Sequence, residues 1–358
     1  MIKPARVTVI IPTYNRVRYL GEAIHSVLNQ TFAELELVIV DDGSTDATAE
    51  LVGAVGDPRV RYLRQPHRGI SAAMNSGLRD ARTEYVARLD SDDIWLPDLL
   101  ARLTAVLDAR TDIGVAYGKA QAMNKHGQAL AHTQGMRGRF PNETLRSIVY
   151  DDCTCNIALV ARRECFDRAG FYDEKLAASE DWDMWLRVAR HYRFCFVDQT
   201  VARFRWHDEN LTGLLSPQFA EVLDGRTAPL DKLFSDPDLP ASVLALKSVA
   251  YTNVYIFRGL RWMQKRSFRK ASREFGLAWR TSDQPMTTGI RLVRFRAAGP
   301  EANRAGTARG YRAGCTAPTP PRYAWEHLIE DQRQRVTLCL GAAAIARLRR
   351  RRRHASGR

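Results

Sequence analysis

The sequence lacks two glycine-rich motifs that are common in nucleotide-binding α/β enzymes. No G-x-G-x-x-G follows the first predicted strand, and no G-x4-G-K-S/T occurs anywhere in the chain. Both motifs hold phosphate groups on backbone N–H groups at the start of a helix. Their absence argues against a dinucleotide-dependent dehydrogenase and against a P-loop NTPase.

Cysteine is scarce, and its spacing does not resemble a zinc site. Six cysteines occur in 358 residues, and Cys153 and Cys155 form a C-x-C that no second pair accompanies. No signal-peptide pattern precedes the first predicted strand, which begins at Val7. We therefore expect reduced thiols and a cytoplasmic protein.

The C-terminal segment has no apolar run that is long enough to cross a bilayer. Its apolar run, Val336–Ala346, is shorter than the roughly 20 residues that a spanning helix needs. Seven arginines and no acid follow from Arg347 onward, and the net charge of the chain is 54 − 40 = +14. Two interpretations stay open: a basic tail that binds an anionic membrane peripherally at its inner face, or a solvated terminus. The body shows no basic helix with interleaved aromatic residues, so nucleic acid is not an expected partner.

Strand and helix patterns alternate over about the first 110 residues. Apolar runs such as Val7–Ile11 predict buried strands, and residues 17–30 have apolar side chains at helical spacing. This alternation predicts an α/β fold with a Rossmann-like, mostly parallel sheet flanked by helices. Residues 241–280 resemble a helical hairpin and predict a helical extension at the C-terminal side. Residues 296–322 are rich in Gly, Pro and Ala, which is typical of a linker or of disorder.

Polar and acidic residues follow three of the predicted strands. The strands end in Pro12-Thr13-Tyr14-Asn15, in Asp41-Asp42-Gly43-Ser44 and in Asp90-Ser91-Asp92-Asp93. In an open α/β sheet, ligands bind at the carboxyl ends of the strands, so these residues are candidates for one site.

Crowded carboxylates repel one another unless a positive group lies among them. Mg²⁺ and Mn²⁺ take oxygen ligands from carboxylates and phosphates. The D-S-D-D sequence therefore predicts a divalent cation that holds a phosphorylated substrate. The alternative for Asp93, with Pro97 four residues later, is a helix start.

Seven segments of the chain share one resemblance: VTVIIPTYNRVRYLGEAIHSVLNQTF, ELVIVDDGSTDAT, GISAAMNSGL, YVARLDSDDIWLPD, NIALVARRECFDRAGFYDE, SEDWDMWLRVA and FRWHDENLT. In their order and spacing they resemble the inverting family 2 glycosyltransferases. The resemblance covers residues 5–212 and leaves the rest of the chain unassigned. It implies the A-type glycosyltransferase fold, also called the nucleotide-diphospho-sugar transferase fold. One half of this fold binds the nucleotide and the other half binds the acceptor.

The resemblance also implies roles for residues at the donor side. Four residues would border the base and ribose of the nucleotide: Pro12, Thr13, Tyr14 and Asp42. Two more, Arg68 and Asn75, would approach the ribose or the diphosphate. Asp90 and Asp92 stand at the D-x-D of the family, and Asp92 would bind Mn²⁺ or Mg²⁺ directly. His207 would be a further ligand of the metal or the diphosphate.

At the acceptor side, the resemblance implies that Asp181 is the catalytic base and that Glu180 faces the acceptor. Trp182 and Trp185 share a helix face and would either pack in the core or form a platform for an acceptor sugar. The chemistry needs both kinds of acid. A cation offsets charge on the leaving diphosphate, and a carboxylate takes the proton of the attacking hydroxyl.

These observations predict a metal-dependent inverting glycosyltransferase that acts on a nucleotide-diphospho-sugar and a glycan or lipid-linked acceptor. The predicted domains are a transferase domain (1–215, with halves 1–112 and 113–215), a helical region (216–295) and a linker-like basic tail (296–358). A nucleotidyltransferase is an alternative, although no glycine precedes Gly21 in the loop after the first strand. A non-catalytic sugar-nucleotide-binding or assembly protein of the same fold is another, although every expected acid is present.

Overall fold

A computed structural model describes residues 4–140, 142–207, 210 and 213–284 of the chain. The chain divides into two compact units, Met1–Val254 and Tyr255–Arg358. The predicted linker and arginine-rich tail, 296–358, lie outside the described residues. The domain boundaries predicted from the sequence, at residues 112, 215 and 295, stay predictions.

The strands of the described residues form one sheet with the order β3-β2-β1-β4-β8-β6-β9-β5, and β7 pairs with β6. The strands are β1 (Val7–Thr13), β2 (Leu35–Asp41), β3 (Val60–Arg64), β4 (Tyr85–Arg88), β5 (Ile94–Trp95), β6 (Ile113–Asn124), β7 (Ala129–Gln134), β8 (Leu159–Arg162) and β9 (Arg193–Trp206).

Helices flank this sheet, and further helices follow its last strand in the sequence. The α-helices are α1 (Val17–Leu28), α2 (Thr48–Gly53), α3 (Ile70–Asp80), α4 (Leu99–Ala109), α5 (Thr144–Tyr150), α6 (Arg163–Ala169), α7 (Glu180–Ala189), α8 (Phe219–Asp224), α9 (Ala228–Phe234), α10 (Ala241–Leu244), α11 (Lys247–Gln264) and α12 (Phe268–Thr281). Short 3-10 helices cover Asn156–Ala158 and Gly225–Thr227. None of the described helices combines the length and the apolar character that crossing a bilayer requires.

The α/β fold predicted from the sequence is confirmed. The order β3-β2-β1-β4 is parallel throughout, as the alternation of strands and helices indicates. Beyond β4 the sheet is mixed, because β8 runs antiparallel to both β4 and β6, while β6 and β9 are parallel. All seven residues of β1 are buried, as expected for a strand with helices on both faces.

Close packing fixes α3 against β1. A Cβ added at Gly77 would lie 2.6 Å from Cγ2 of Ile10, so only glycine lets the helix approach the strand this closely. On α1, the predicted apolar positions Leu20, Ile24 and Val27 are buried in the core. Together these contacts hold the loops that leave β1 and β2 at one edge of the sheet.

Two segments of the second half differ from the sequence prediction. The sequence of Cys155–Phe166 predicts a strand, but β8 ends at Arg162 and α6 follows it. Helix α6 ends where Gly170 adopts φ 81°. Residues 192–198 and 201–207 predict two strands, but β9 is one strand of 14 residues. The register of its pairing with β6 shifts at Gly114 and at Gly118. A Cβ added at Gly118 would lie 2.7 Å from Cγ2 of Val201.

A short pairing at the edge of the sheet positions the acidic loop. Strand β5 pairs with β9, with Ile94 opposite Arg203 and Trp95 opposite Ala202. Because β5 directly follows Asp93, this pairing places the D-S-D-D loop beside the C-terminal end of β9. Strand β9 leads into His207.

The described part of the second unit contains the end of α11 and all of α12, as the predicted hairpin requires. The ring of Phe275 lies directly against Gly259, where there is no room for a side chain. Arg258 and Glu274 form an ion pair at 3.1 Å. Arg266, with φ 58°, lies in the turn between the two helices.

Candidate active site

The loops after β1 and β2 are joined by hydrogen bonds. The N–H of Asn15 donates to Oγ of Ser44 at 2.9 Å, and the N–H of Thr45 donates to Oδ1 of Asn15 at 2.8 Å. Asn15 adopts φ 51°, a left-handed conformation that asparagine tolerates better than most residues. The two loops therefore form one wall at the carboxyl edge of the sheet.

Two aromatic rings lie on this wall. The rings of Tyr14 and His67 stack, with centroids 4.0 Å apart and planes 19° apart. Tyr14 is 42% exposed, and the side chain of His67 is 54% exposed, so the stack is accessible to a ligand. Pro12 and Thr13, which precede Tyr14 in the chain, are buried, and the hydroxyl of Thr13 has no hydrogen-bond partner among the described residues.

The carboxylate of Asp42 organises the loop before α3. It accepts hydrogen bonds from Nε2 of Gln65 at 2.7 Å, from the N–H of Arg68 at 3.0 Å and from the N–H of Gly69 at 2.7 Å. Nδ1 of His67 lies 2.8 Å from the same carboxylate. Asp42, which is predicted to border the nucleotide, is buried and bound to these groups. It holds His67 against Tyr14.

Arg68 and Asn75 are connected to a distant segment. Arg68 forms an ion pair with Glu174 at 2.5 Å. The buried amide of Asn75 donates to the carbonyl of Tyr172 and to Glu174, both at 2.9 Å, and accepts from the N–H of Tyr172 at 2.8 Å. The structure thus brings these two predicted donor-side residues together through residues 172–174. Contact of either residue with a donor stays a prediction.

A buried arginine links two groups of acids. Nε of Arg88 donates to Asp90 at 2.7 Å, and Nη1 donates to Glu180 at 3.2 Å, across 92 positions of sequence. Burial raises the pKa of Asp90, and Arg88 opposes this effect. Burial and the neighbouring charge of Asp181 raise the pKa of Glu180, which Arg88 also opposes. Sequence reasoning missed Arg88, although it stands two positions before Asp90, the first residue of the acidic loop.

The side chains of Asp92 and His207 meet, as the sequence resemblance implies. Oδ2 of Asp92 lies 2.9 Å from Nε2 of His207, and Nε of Arg16 lies 3.9 Å from the same oxygen. The side chain of His207 is almost fully buried. Within the part of the chain that the structure describes, no group of three or more His, Cys, Asp or Glu residues could hold a metal ion.

Asp93 and Arg205 fasten the acidic loop to β9. Oδ1 of Asp93 accepts from the N–H of Arg205 at 2.7 Å, and Nε of Arg205 donates to the carbonyl of Asp92 at 2.9 Å. Burial raises the pKa of Asp93 well above its usual value, and the charges of Asp92 and Asp90 raise it further. Asp93 does not cap α4. Arg205, which sequence reasoning missed, supplies part of the positive charge that the crowded acids require.

Asp181 lies in the first turn of α7. Ser179, with φ 60°, precedes the helix, and Oδ1 of Asp181 accepts from the N–H of Trp182 at 2.8 Å. Asp181 is half-buried, beside Glu180. Trp182 and Trp185 are 3% and 2% exposed, so the structure gives them no face for an acceptor sugar. Their indole N–H groups donate to the protein, and they hold α7 in the core.

Asp152 is a further acid near Asp181 that sequence reasoning missed. Burial raises the pKa of Asp152 to about 7, and the charge of Asp181 adds to this rise, while Arg226 opposes it. The hydroxyl of Thr154 donates to Asp152 at 2.9 Å. The adjacent acids Asp151 and Asp152 were the signal available in the sequence, but they stand outside any periodic pattern.

Comparison with known proteins gives a family model and several relatives. The model described as Glycosyl transferase family 2 matches residues 8–165. An uncharacterized glycosyltransferase of Rickettsia felis is 30% identical over 208 residues, covering 57% of this chain and 34% of the relative. A chondroitin synthase of Escherichia coli is 28% identical over 208 residues, covering 57% of this chain and 29% of the relative. The chain therefore spans only about a third of the length of these two proteins.

Two solved structures have a similar fold. S. aureus TarS in complex with UDP-GlcNAc superposes with a TM-score of 0.57 at 20% identity, covering 78% of this chain and 82% of that one. The mannosyltransferase PcManGT from Pyrobaculum calidifontis, in complex with GDP-Man and Mn²⁺, gives 0.53 at 21% identity, covering 82% and 80%. These likenesses confirm the predicted A-type glycosyltransferase fold.

Proposed function

We propose that the protein is a metal-dependent inverting glycosyltransferase, on the premise that residues 8–165 match the model of glycosyl transferase family 2. It moves a sugar from a nucleotide-diphosphate donor to a hydroxyl group of an acceptor. One observation carries the proposal: buried Arg88 bonds both Asp90 and Glu180, so the acids after β4 and those of α7 share one sheet edge.

The nucleotide binds at the wall formed by the loops after β1 and β2. The stacked, exposed rings of Tyr14 and His67 offer an aromatic surface for the base. The unpartnered hydroxyl of Thr13 is available for a hydrogen bond to the ligand, which would remove the cost of leaving it unsatisfied. TarS and PcManGT, which were solved with UDP-GlcNAc and GDP-Man, support a nucleotide-sugar donor.

Asp92 and His207 are the residues that would hold Mn²⁺ or Mg²⁺. Their contacting atoms, a carboxylate oxygen and an imidazole nitrogen 2.9 Å apart, are donors that Mn²⁺ accepts. Two protein donors leave room for the phosphate oxygens of a substrate in the coordination sphere. A cation bound there supplies Lewis acidity that offsets the charge on the leaving diphosphate.

Asp181 takes the proton of the acceptor hydroxyl as that oxygen attacks the anomeric carbon. Its half-buried carboxylate lies in the first turn of α7, beside Glu180. Arg88 fixes Glu180, which faces the acceptor in this proposal. Trp182 and Trp185 contribute indirectly, because they pack α7 into the core and thereby position Asp181.

The acceptor is a glycan or a lipid-linked intermediate of cell-surface polysaccharide synthesis. The chondroitin synthase among the relatives supports a polysaccharide role. A cytoplasmic protein that associates peripherally with the inner face of the membrane through its basic tail would meet such an acceptor where it is assembled.

A thermal-shift panel tests the proposed function. UDP, GDP, dTDP and CDP are each added with and without Mn²⁺, since a ligand that binds only the folded state raises the melting temperature. We expect one nucleotide to raise it in a Mn²⁺-dependent way. Asp92→Asn should lose this dependence, and the control Asp98→Asn, which changes an exposed acid, should keep it. No shift with any nucleotide would contradict the proposal.

A further inference from the structure

The outer face of α12 is exposed and carries aromatic rings. Phe268 is 44% exposed and Trp279 is 49% exposed. Three other positions of the same helix, Ala271, Glu274 and Ala278, are buried. The helix therefore packs on one side and presents two large apolar side chains on another.

Helical geometry places these two rings in one stripe. They are 11 positions apart, which at about 3.6 residues per turn brings them within about 20° of each other and about 16 Å apart along the axis. Arg269, Arg273 and Arg280 are also exposed, and they fall on the neighbouring stripe, about 100–140° from Phe268. An aromatic stripe thus runs beside a cationic one.

The charge of this region is strongly positive. Residues 255–284 contain eight Lys and Arg against two acids, which gives 8 − 2 = +6. One of the acids, Glu274, is buried and paired with Arg258. Among the described residues, no carboxylate forms an ion pair with the three arginines of the cationic stripe. Their charge is available to an anionic partner.

We propose that this face of α12 docks on a membrane surface that is rich in anionic lipid. Aromatic rings settle at the boundary between headgroups and acyl chains, and arginines beside them bind lipid phosphates. The sequence-based expectation that the body has no basic helix with interleaved aromatic residues is wrong, because α12 is such a helix. Since the surface belongs to described residues, it is distinct from the tail, 296–358.

The arrangement favours lipid over nucleic acid. Single-stranded nucleic acid stacks successive bases on aromatic side chains that line a groove. On α12 the two rings are three turns apart on a convex helix, so neighbouring bases could not stack on both. A flat interface, by contrast, contacts both rings and the cationic stripe together.

Flotation of the full-length protein with lipid vesicles tests the proposal. One set of vesicles is pure phosphatidylcholine, and in the other phosphatidylglycerol replaces a third of it. The test variants are Arg269→Gln with Arg273→Gln, and Phe268→Ser with Trp279→Ser. Matched controls are Arg82→Gln with Arg168→Gln and Leu215→Ser with Leu244→Ser, all at exposed positions of the first unit. Unchanged melting temperatures verify that each variant is folded.

We expect binding to the anionic vesicles only, and a roughly tenfold or greater loss in each α12 variant. The controls should bind as the native protein does. The proposal is overturned if the native protein does not bind anionic vesicles, or if the controls lose binding equally. It is also overturned if the α12 variants still bind the vesicles and deletion of residues 335–358 abolishes that binding. A parallel titration with single-stranded RNA gives the last contradicting outcome, in which the α12 variants lose affinity for RNA and keep their affinity for lipid.

Discussion

Asp181 is the residue on which the proposed proton transfer depends. Asp181→Asn keeps the size of the side chain but removes its basic oxygen, so we expect transfer to fall by about 100-fold or more. Donor binding should persist, because the substitution leaves unchanged the wall formed by the loops after β1 and β2, and also Asp92 and His207. Release of nucleotide diphosphate from the donor measures the first effect, and the thermal shift measures the second.

The control for this variant is Asp167→Asn, which alters an exposed helical acid that pairs with Arg163. It should behave as the native protein does in both measurements. Full activity of Asp181→Asn would show that another group takes the proton, and Asp152 would then be the first residue to examine.

His67 extends the aromatic surface that Tyr14 begins. Its ring is held by the carboxylate of Asp42, stacks on Tyr14 and is more than half exposed. Loss of a stacking ring weakens base binding by about 1–3 kcal/mol, so His67→Ala should lower nucleotide affinity about tenfold. His67→Phe should restore much of it. Titration calorimetry measures both, with His126→Ala, at an exposed turn, as control. Native affinity in His67→Ala would place the base elsewhere.

Some side-chain contacts of the site could be predicted from the sequence and others could not. The contact between Asp92 and His207 is one that the resemblance to the family implies. The internal hydrogen bonds of Asp42 and Asn75 could not be foreseen, because their partners become neighbours only in the folded chain. The raised pKa of Asp152 arises in the same way, from burial and from an acid 29 positions away.

At the scale of elements, the packing of α3 on β1 allows a sharp test. Gly77→Ala adds a methyl group 2.6 Å from a side-chain atom of Ile10, so we expect a loss of about 1–3 kcal/mol in unfolding free energy. Gly53→Ala is the matched control, because nothing lies within 4 Å of its added methyl group. It should be neutral or stabilising by up to about 1 kcal/mol. Urea denaturation measures both, and equal effects would contradict the packing argument.

Element types in the first half could be predicted, while several in the second half could not. Strands β1 and β2 are mostly apolar and almost entirely buried, and α1 has helical periodicity, so pattern and structure agree. The segment after Arg162 turns into a helix because the strand pairing ends there, which is a tertiary event. The continuity of β9 depends on its pairing with β6, which begins 80 residues earlier.

For the whole molecule, buried acids make stability depend on pH. The folded pKa of Asp152 is raised from its usual 3.8 to about 7. The folded protein therefore holds the proton of Asp152 more tightly than the unfolded protein does. The contribution of Asp152 to the free energy of unfolding falls as the pH rises from about 4 to about 7. Asp152→Asn should be stabilised relative to the native protein above pH 7, by about 1–2 kcal/mol, with no gain below pH 4.

Asp108→Asn is the control of opposite sign. A hydrogen bond from Arg6 holds the pKa of Asp108 below its usual value. The ionised carboxylate of Asp108 therefore stabilises the folded protein at pH values above its unfolded pKa, and this stabilisation is lost on acidification. Asp108→Asn should consequently be less stable than the native protein at neutral pH only. Melting temperatures across a pH series measure both variants. Parallel curves for Asp152→Asn and the native protein would contradict the burial argument.

The pairing of β5 with β9 also has a consequence during synthesis. The acidic loop emerges from the ribosome early, but Ala202, Arg203 and Arg205, which hold it, are made more than 100 positions later. Contacts between segments that are distant in sequence can form only after both segments have been synthesised. Until β9 is made, the acidic loop of the nascent chain therefore lacks its contacts with that strand. Translation must therefore reach His207 before the chain can assemble the site that we propose for the cation.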